Sequence, residues 1–488
     1  MATAGVRTPP TNLPDAPTSK LASQVARQIE AEVIRRGWPV GESLGSEIEL
    51  RARYGVSRSV LREAVRLVEH HQVARMRRGP NGGLFVRAPD AGPATRAVVI
   101  YLEYVGTSVS DLMHARLLLE PLAAELAAET VSEEGIATLR STLEEEVAKR
   151  EEPGVWSHET LHPVLGRLSG NPVLHLFIEI LTRLTARYAH TSRRISKAEI
   201  LAAKDRAHEA HQKTVDAVIA GDGARAQTTL REHLEAIAEW VETHRVRRTP
   251  RIAGRVIEPE LAEGPRAKLA EVVAARIHDD ISSRGWPVGS VLGSEADLLA
   301  RYEISRAVLR EAVRLLEYHS VARMRRGPGG GLIVTQPEEQ ASIDTAALFL
   351  EYQHVTGEHL RVVRDAVELG VVTKVAERHN DPEVAERLDA AARWVFDAPP
   401  DEPAKADRFH TELAALARNP VLSLFLRIIT EVFRRHTDVQ DQPLPGDAAA
   451  EEVHRVHRRI LDAILAGDTS LARHRMRRHL EALTPWWH

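Results

Sequence analysis

The sequence has no cysteine among its 488 residues. That absence excludes disulfides, thiolate zinc sites, iron–sulfur clusters and cysteine nucleophiles, and it is typical of a protein of the reducing cytosol. Aromatic residues are also scarce, at 4% of the chain. No apolar run approaches the roughly 18–20 residues that a membrane-spanning helix needs. We therefore expect a cytoplasmic protein that has no membrane partner.

The remaining composition is that of a helical, globular protein with several domains. Apolar residues make up 43% and charged residues 27%, which are proportions of folded rather than disordered chains. The abundant Ala, Leu, Arg and Glu favour helix. The length exceeds one ordinary hydrophobic core and predicts about three or four domains. Residues 1–17 lack a hydrophobic signal core and are expected to be disordered.

The net charge of −4 conceals two basic segments. Residues 18–88 carry 13 Lys and Arg against 7 acidic residues, and residues 266–336 carry 11 against 8. The rest of the chain therefore holds a charge of −13. Positive charge concentrated in small modules is typical of polyanion binding, so these two segments are predicted to contact nucleic acid.

The chain is a tandem duplication. Residues 21–86 and 269–334 are identical at 43 of 66 positions, at an offset of 248. A period near 250 residues excludes solenoids and propellers, whose units span about 20–50 residues. The predicted domains are a disordered N-terminus at 1–17, basic modules at 18–88 and 266–336, larger acidic modules at 95–245 and 342–488, and a linker at 246–265.

Each basic module has the pattern of a winged helix-turn-helix domain. In the first copy, apolar residues at a spacing of four predict a helix over 20–36, and a capping box at Ser46 opens a second helix that ends at Tyr54. Ser57 is predicted to cap a third helix. Residues 73–86 then predict a strand, a glycine-rich turn and a second strand. This order of elements occurs twice.

The third helix of such a domain presents its N-terminal turn to the major groove, and the hairpin lies along the backbone. Arginines occupy both places, and an arginine can bond guanine bidentately. A solvated basic helix face is the alternative for any single arginine. The predicted DNA-binding residues are Ser57, Arg58, Ser59, Arg62, Arg77 and Arg78 in the first copy and Ser305, Arg306, Arg310, Arg325 and Arg326 in the second.

The acidic modules have helical periodicity and predict antiparallel bundles of about six or seven helices each. Asn171-Pro172 and Asn419-Pro420 are typical of a helix N-cap followed by proline at the first helical position. Neither module contains a glycine-rich phosphate loop or a nucleophile elbow. The predicted fold class is mainly α, with two winged helix-turn-helix domains alternating with two all-α bundles.

Three histidines recur at matched places in the two acidic modules, and the last interval is 22 residues in both. Neutral imidazoles are good ligands for zinc and its neighbours, so we expect a divalent ion, with zinc favoured and nickel or manganese compatible. An ordinary surface or core position is the alternative for any one of the 23 histidines. The predicted ligands are His158, His162, His211 and His233 in the first copy and His410, His457 and His479 in the second.

The two predicted metal sites differ at one position. His158 precedes His162 by one helical turn, so that both imidazoles share a helix face. The second copy has Ala406 at the matching position, with Asp407 adjacent. Four ligands are therefore expected in the first copy and three in the second.

Arg116 and Arg364 are inward candidates on the first long helix of each acidic module. Either arginine is suited to pair with the carboxylate of a small-molecule effector. The alternative is a structural ion pair at i,i+4 with Glu120 or Glu368.

The motifs LGSE, GVSR, LREAV and RRGPNGGLFV resemble the DNA-binding domain of GntR-type bacterial transcription regulators. The acidic modules are similar to the helical effector domain of the FadR/FCD subgroup, so the resemblance covers nearly the whole chain. It implies that Ser57, Arg58, Ser59, Arg62 and Arg78 contact operator DNA. It also implies metal binding by the three histidines, with an Asp in the family at the position of His158.

The sequence departs from the family in three places. Glycines 45 and 293 stand where the family usually has proline, which should only loosen the helix entry. Glu303 replaces the turn glycine found at Gly55, and a non-glycine is strained in a left-handed turn. Ala307 lacks the hydroxyl of Ser59. The second copy is therefore expected to bind DNA more weakly or to prefer a different half-site.

Together these features predict a ligand-responsive bacterial transcription regulator and not an enzyme, with no catalytic residue assigned. It is expected to bind an imperfect palindrome in double-stranded operator DNA and to sense a small organic acid in metal-containing bundles. The two halves are expected to form an intramolecular pseudo-dimer, and a further homodimer is left open. The alternatives are a metal-dependent hydrolase or lyase and an architectural DNA-binding protein without effector.

Overall fold

The structure is a computed structural model that describes residues 17–77, 79, 82–151, 160–189, 196–244, 265–325, 327, 329–397, 404–440 and 447–483. Of the residues predicted to form a disordered N-terminus, 1–17, Pro17 begins a helix, and residues 1–16 lie outside the described residues. The same holds for all of the predicted linker except Pro265, which begins a helix.

The first half of the chain contains ten helices and three strands within the described residues. They are α1 (Pro17–Arg35), β1 (Ser43–Gly45), α2 (Glu47–Tyr54), α3 (Arg58–His70), β2 (Ala74–Arg77), β3 (Gly83–Val86), α4 (Ala91–Tyr104), α5 (Val109–Thr130), α6 (Glu133–Ala148), α7 (Leu161–Leu168), α8 (Pro172–Ala189), α9 (Lys197–Ile219) and α10 (Gly223–His244). We call α1–α3 with β1–β3 the first winged domain and α4–α10 the first bundle.

The second half repeats this order element by element over the described part of the chain. Its elements are α11 (Pro265–Ser283), β4 (Val291–Gly293), α12 (Glu295–Tyr302), α13 (Arg306–Tyr318), β5 (Ala322–Arg325), β6 (Gly331–Val334), α14 (Glu339–Tyr352), α15 (Gly357–Glu377), α16 (Pro382–Asp397), α17 (Ala404–Leu416), α18 (Pro420–Gln440), α19 (Asp447–Leu465) and α20 (Thr469–Leu483). The second winged domain comprises α11–α13 with β4–β6, and the second bundle comprises α14–α20.

The winged domains form because polar side chains cap their short helices and an antiparallel sheet closes the hairpin. Ser46 and Glu49 form the predicted capping box at the start of α2. The Ser57 hydroxyl accepts a hydrogen bond from the Val60 N–H at 3.4 Å, which caps α3. The hairpin strands β2 and β3 are joined by β1 in the order β1-β3-β2. The predicted mainly α fold class is confirmed, although the short strand β1 was not predicted.

The turn between the second and third helices has the same left-handed backbone in both winged domains. Gly55 has φ 63° and Glu303 has φ 53°. A side chain in this conformation costs roughly 1–2 kcal/mol, because Cβ approaches the following carbonyl oxygen. Glu303 therefore has the strained backbone that the sequence comparison with Gly55 predicts.

Asparagines at the start of α8 and α18 cap their helices and also connect the two halves. The Asn171 side-chain oxygen accepts from the N–H groups of the second and third residues of α8, and Asn419 does the same for α18. The Asn171 amide donates to the His359 carbonyl at 2.9 Å, and the Asn419 amide donates to the Asp111 carbonyl at 3.0 Å. These two bonds are reciprocal across the interface between the bundles.

The two bundles share one hydrophobic core. Buried side chains of α4, α5 and α8 are continuous with those of α14, α15 and α18. At its centre the rings of Phe177 and Phe425 stack with centroids 3.8 Å apart and an interplanar angle of 13°. Burial of such a surface is the main favourable term in protein association. The contact between the halves is therefore part of the core.

The winged domains pack in a crossed arrangement. Leu348 of α14, in the second half, is fully buried in the core of the first winged domain, where Tyr352 contacts Trp38 with ring centroids 5.6 Å apart. Ile100 of α4, in the first half, lies in the core of the second winged domain, where Tyr104 contacts Trp286 at the same distance of 5.6 Å. Each winged domain thus rests on the helix that follows the other one.

Candidate functional site

Two arginines lie at the N-terminal turn of α3 in the first winged domain. Arg58 Nε is 2.6 Å from a carboxylate oxygen of Glu47 on α2, and Arg62 Nε is 3.6 Å from the same oxygen. The hydrogen bond from Arg58 lowers the pKa of Glu47. More than half of each arginine side chain is exposed, so both guanidinium groups remain available to a partner. The hydroxyl groups of Ser57 and Ser59 lie 3.0 Å apart beside them.

The second winged domain has the same arrangement without one hydroxyl. Arg306 Nε is 3.2 Å from Glu295 on α12, and Ser305 accepts from the Val308 N–H at 3.4 Å. Arg310 is exposed, as Arg62 is. Ala307 cannot form the hydroxyl contact that Ser59 makes in the first domain. Helices α3 and α13, which we call the recognition helices, therefore present different polar groups.

The structure describes two of the four predicted wing arginines, Arg77 and Arg325. The guanidinium carbon of Arg77 lies 4.3 Å from the centroid of the Phe85 ring, a cation–π contact on the hairpin. Arg325 donates to the Gly329 carbonyl at 2.8 Å. Arg78 and Arg326 lie outside the described residues.

The first bundle brings His162, His211 and His233 together in its interior. The three side chains come from α7, α9 and α10, all are at least 95% buried, and one ligand atom from each lies within 4.8 Å of the others. His211 Nε2 and His233 Nε2 are 3.0 Å apart. His162 Nε2 is buried with no hydrogen-bond partner among the described atoms. His158, the predicted fourth ligand, lies outside the described residues.

Carboxylates hold the outer nitrogens of this first triad. His162 Nδ1 donates to Glu120 at 2.6 Å, and His211 Nδ1 donates to Glu146 at 2.7 Å. Such bonds fix the tautomer in which Nε2 is free to ligate a metal. Glu146 also accepts a hydrogen bond from His208 Nδ1 at 3.0 Å. Glu146 could not be predicted from the sequence, because nothing in the spacing of α6 distinguishes it from the neighbouring exposed glutamates.

Arg116 binds the same carboxylate that accepts a hydrogen bond from His162. Its Nε donates to Glu120 at 2.6 Å, and its Nη1 donates to the Thr185 hydroxyl on α8 at 3.0 Å. Burial alone would raise the pKa of Glu120, but the charges of Arg116 and His162 lower it to about 2. The structure thus contains the i,i+4 ion pair that the sequence analysis gave as the alternative to effector binding by Arg116.

The second bundle repeats the triad with His410, His457 and His479. His457 Nε2 is 3.1 Å from His479 Nε2, which is 3.2 Å from His410 Nε2. These distances are near the roughly 3.3 Å that tetrahedral zinc–nitrogen bonds of about 2.0–2.1 Å impose. The same spacing would also suit imidazole–imidazole hydrogen bonds. His410 Nδ1 and Arg364 both pair with Glu368.

The second triad differs from the first around its middle histidine. The ring of Phe409 stacks on His457 with centroids 4.0 Å apart. Helix α16 begins at Pro382, 249 residues after α6 begins at Glu133, so the residue that matches Glu146 is Val395 and no carboxylate is encoded at that place. Ala406 and Asp407 lie on α17, and their side chains are outside the described ones. The second site therefore has one aromatic neighbour where the first has a leucine, Leu161.

Several of these imidazoles are held neutral. Burial lowers the pKa of His233 well below its ordinary value, and the charges of His211 and His162 lower it further. Burial likewise lowers the pKa of His457 well below that value and lowers the pKa of His479 to about 3. A neutral imidazole has a free lone pair, which is the state that ligates metals.

A cavity of about 310 Å³ opens between α9 and α10 and reaches the first triad. His211 and His233 form part of its wall, together with Lys204, Lys213 and Trp240. The Lys204 ammonium donates to the Arg150 carbonyl at 3.0 Å. Over the described part of the chain, every helix is too short or too polar to cross a membrane.

Comparison with known proteins matches both kinds of domain twice. The profile of the family "Bacterial regulatory proteins, gntR family" matches residues 21–86 and 269–331, and that of the FCD domain matches residues 111–236 and 359–482. The two FCD matches alone cover about half of the chain. These families consist of transcription regulators and not enzymes.

Curated relatives each match between one third and one half of the chain. The HTH-type regulator RmpR of Mycobacterium gastri is 32% identical over 33% of this chain and 58% of its own length. The transcriptional repressor NanR of Enterobacter sp. strain 638 is 25% identical over 45% of this chain and 85% of its own. The regulator LutR of Bacillus subtilis is 25% identical over 41% of this chain and 91% of its own length.

A solved structure of Streptococcus agalactiae GntR aligns with 45% of this chain and 99% of its own length, at 21% identity and a TM-score of 0.33. The family matches and the repeated order of elements agree with one another. The chain therefore belongs to the gntR family of bacterial regulatory proteins, as a helix-turn-helix DNA-binding transcription regulator with an FCD effector domain in each half.

Proposed function

We propose that each FCD bundle holds a divalent metal ion, zinc being the expected one, and that the ion anchors a small carboxylate effector. The observation that carries this proposal is the buried His162 Nε2, which has no hydrogen-bond partner among the described atoms and lies beside the Nε2 atoms of His211 and His233. A buried polar atom without a partner is costly, and a metal ion would satisfy it.

The chain's own residues prepare this site. Glu120 accepts from His162 Nδ1 and so orients the opposite nitrogen towards the other two histidines. Arg116 keeps Glu120 ionised, because it neutralises a charge that burial would otherwise disfavour. Glu146 orients His211 in the same way. When bound, the metal would supply a positive centre on which a carboxylate can displace water.

An anionic effector suits the cavity next to the first triad. Its wall combines His211 and His233 with the positive side chains of Lys204, Arg206 and Lys213. The acidic Glu209 and Glu232 in the same wall limit the negative charge of a ligand that the cavity can bind. A small organic acid with one or two carboxylates is the class of ligand that this balance favours.

The DNA-binding role is proposed for the arginines and serines of both recognition helices. Glu47 and Glu295 hold Arg58 and Arg306 at the helix N-terminus, where exposed ion pairs are weak enough to exchange for phosphate or guanine. The remaining candidates are Ser57, Ser59, Arg62, Arg77, Arg78, Ser305, Arg310, Arg325 and Arg326.

We further propose that one chain acts as an intramolecular pseudo-dimer on one operator. The shared core, the reciprocal asparagine bonds and the crossed packing of the winged domains support it. Because Ala307 replaces Ser59 and Glu303 replaces Gly55, the two half-sites should differ, and the operator should be an imperfect palindrome.

Elemental analysis of untagged protein tests the metal assignment. We expect close to two divalent ions per chain in the wild type and about one after His211→Ala, because that substitution removes one ligand of the first site. His474→Ala, an exposed histidine of α20, is the matched control and should leave the metal content unchanged.

Trace metal in the wild type, or unchanged metal content and thermal stability after His211→Ala, would show that the triads are ordinary core residues. In that case a protein that binds DNA without sensing a metal-anchored effector would be the better description. DNA selected by the same purified sample and then sequenced would show whether the preferred site is palindromic.

A further inference from the structure

A chain of buried polar contacts runs from the first triad to helix α8. His162 donates to Glu120, Glu120 pairs with Arg116, and Arg116 Nη1 donates to the Thr185 hydroxyl at 3.0 Å. Each of these four side chains is at least 97% buried. Because buried charged groups are costly to leave unpaired, a shift of His162 cannot be absorbed by breaking one link. The shift would instead move α8.

Two residues further along α8, Arg187 contacts the second winged domain. Arg187, two residues after Thr185, forms an ion pair with Glu103 on α4 and another with Asp279 on α11 at 2.9 Å. Its guanidinium also lies 3.4 Å from His278 Nδ1 on α11. Helix α11 opens the second winged domain, whose core contains Ile100 of α4. One helix therefore contacts the first histidine site and the winged domain of the other half.

We propose that metal occupancy at the first histidine site is transmitted across the chain to the second winged domain, through Thr185 and Arg187 of α8. This inference rests on the metal binding proposed above. A helix is a rigid body on the scale of two residues, so a displacement imposed at Thr185 is also felt at Arg187. The ligand state of one half then biases the position of the recognition helix in the other half.

The matching path in the second half lacks one link. Arg435 on α18 pairs with Asp344 on α14 at 3.0 Å, and α14 packs on the first winged domain. Arg364 pairs with Glu368 as Arg116 pairs with Glu120. However, Phe433 stands 248 residues beyond Thr185, so α18 offers Arg364 no hydroxyl at that place. Transmission from the second site to the first winged domain therefore lacks this hydrogen bond, and the two winged domains are expected to respond unequally.

Hydrogen–deuterium exchange on the full chain tests this path with zinc alone as the probe. In a His457→Ala background only the first triad is intact, and zinc should slow amide exchange several-fold in α11–α13 while changing α1–α3 much less. In a His211→Ala background only the second triad is intact, and zinc should change exchange in α1–α3 by a smaller factor.

Thr185→Val in the His457→Ala background removes the hydroxyl with little change of shape, and it should abolish the zinc effect on α11–α13. Thr182→Val is the matched control on the same helix, because the Thr182 hydroxyl is buried with no partner among the described atoms. That variant should keep the full zinc effect. Zinc content and the thermal melt, measured on each variant, report separately on metal binding and folding.

The outcomes separate the two proposals. If zinc binds and α11–α13 respond equally in the Thr185→Val and Thr182→Val variants, the path through α8 is wrong while the metal site stands. A zinc effect confined to α1–α3 in the His457→Ala background would also overturn it. If zinc does not bind to the wild type at all, the metal proposal and this inference fail together.

Discussion

Glu120 and Glu368 occupy the same position in the two halves, and each lies between an arginine and a histidine in the core. The pKa of each carboxyl is lowered to about 2, because the arginine and histidine outweigh the effect of burial. At the scale of the residue, the chemistry of each site is thus divided. The glutamates stay ionised, and burial holds His233, His457 and His479 neutral.

This division predicts how the metal-free protein responds to acid. The folded-state pKa of His479 is lowered to about 3, and those of His233 and His457 are also well below the ordinary value. Below about pH 6.5 the unfolded chain takes up protons at these histidines and the folded chain does not. Stability should therefore fall as the pH drops from about 6.5 towards 3, by up to about 1.4 kcal/mol per pH unit for each group.

Thermal melts of metal-free protein between about pH 8 and pH 5 would measure this response. His479→Gln, which cannot take up a proton, should give a shallower pH dependence than the wild type. A melting temperature that stays level between about pH 6.5 and pH 5 would mean that these histidines are not held neutral in the fold.

A second residue-scale prediction concerns DNA. Arg62→Ala should weaken binding to the selected site by roughly 1–3 kcal/mol and relax the base preference in one half-site, because Arg62 lies at the start of the recognition helix. Arg66→Ala, further along the same helix and paired with Glu63, is the control and should have a smaller effect. Binding assays at several salt concentrations measure both properties.

If the Arg62→Ala and Arg310→Ala double variant keeps full specific affinity, these two residues do not read DNA. If it keeps the base preference but loses part of the salt dependence, they contact phosphates instead.

At the scale of the element, local chemistry was enough to predict where α2, α3, α8 and α18 begin. The capping box at Ser46 and the asparagine caps before Pro172 and Pro420 follow from a side chain and the N–H groups two or three residues ahead. Strand β1 was not predicted, because its three residues are too few to show alternation and it pairs with β3 about 40 residues away. Thr185 was missed because its role depends on contact with a different helix.

The turn before the recognition helix gives a prediction at this scale. Glu303→Gly should raise the midpoint of thermal unfolding, corresponding to a gain of up to about 1 kcal/mol, because glycine adopts φ 53° without the strain of a side chain. Gly55→Glu is the reciprocal change in the first winged domain. A Cβ at Gly55 would meet nothing within 4 Å, so the expected loss is conformational and not steric.

Both variants are to be measured by the same thermal scan, beside the wild type. If neither substitution shifts the midpoint, or if Glu303→Gly lowers it and Gly55→Glu raises it, the left-handed turn does not limit the stability of either winged domain.

At the scale of the whole molecule, the crossed packing could not be predicted from the sequence. The connecting helices α4 and α14 have similar apolar faces, and the winged domains that they contact are nearly two-thirds identical. A pattern therefore cannot distinguish packing within a half from packing between halves. The structure places Leu348 and Ile100 in the cores of the opposite winged domains, so neither half contains all of its own core.

The last prediction concerns the assembly that binds DNA. Two recognition helices in one chain should occupy two half-sites about one helical turn, roughly 34 Å, apart. Linking the halves gives each a high effective concentration for the other, which favours a pseudo-dimer within one chain over association between chains. Light scattering of the DNA complex should therefore give one protein chain of 54.1 kDa per operator. Footprinting should show both half-sites protected.

Substitutions in one winged domain at a time show which recognition helix protects which half-site. Arg62→Ala should weaken protection of one half-site and Arg310→Ala that of the other, because each arginine belongs to a different recognition helix. Two chains that each use the same winged domain on a two-fold operator would instead lose protection of both half-sites in one variant and of neither in the other. Complexes with two chains per operator, each using one winged domain or together covering four half-sites, would contradict the pseudo-dimer. The crossed packing argues against two chains that each use one winged domain, because separating the winged domains of one chain would remove Leu348 and Ile100 from their cores.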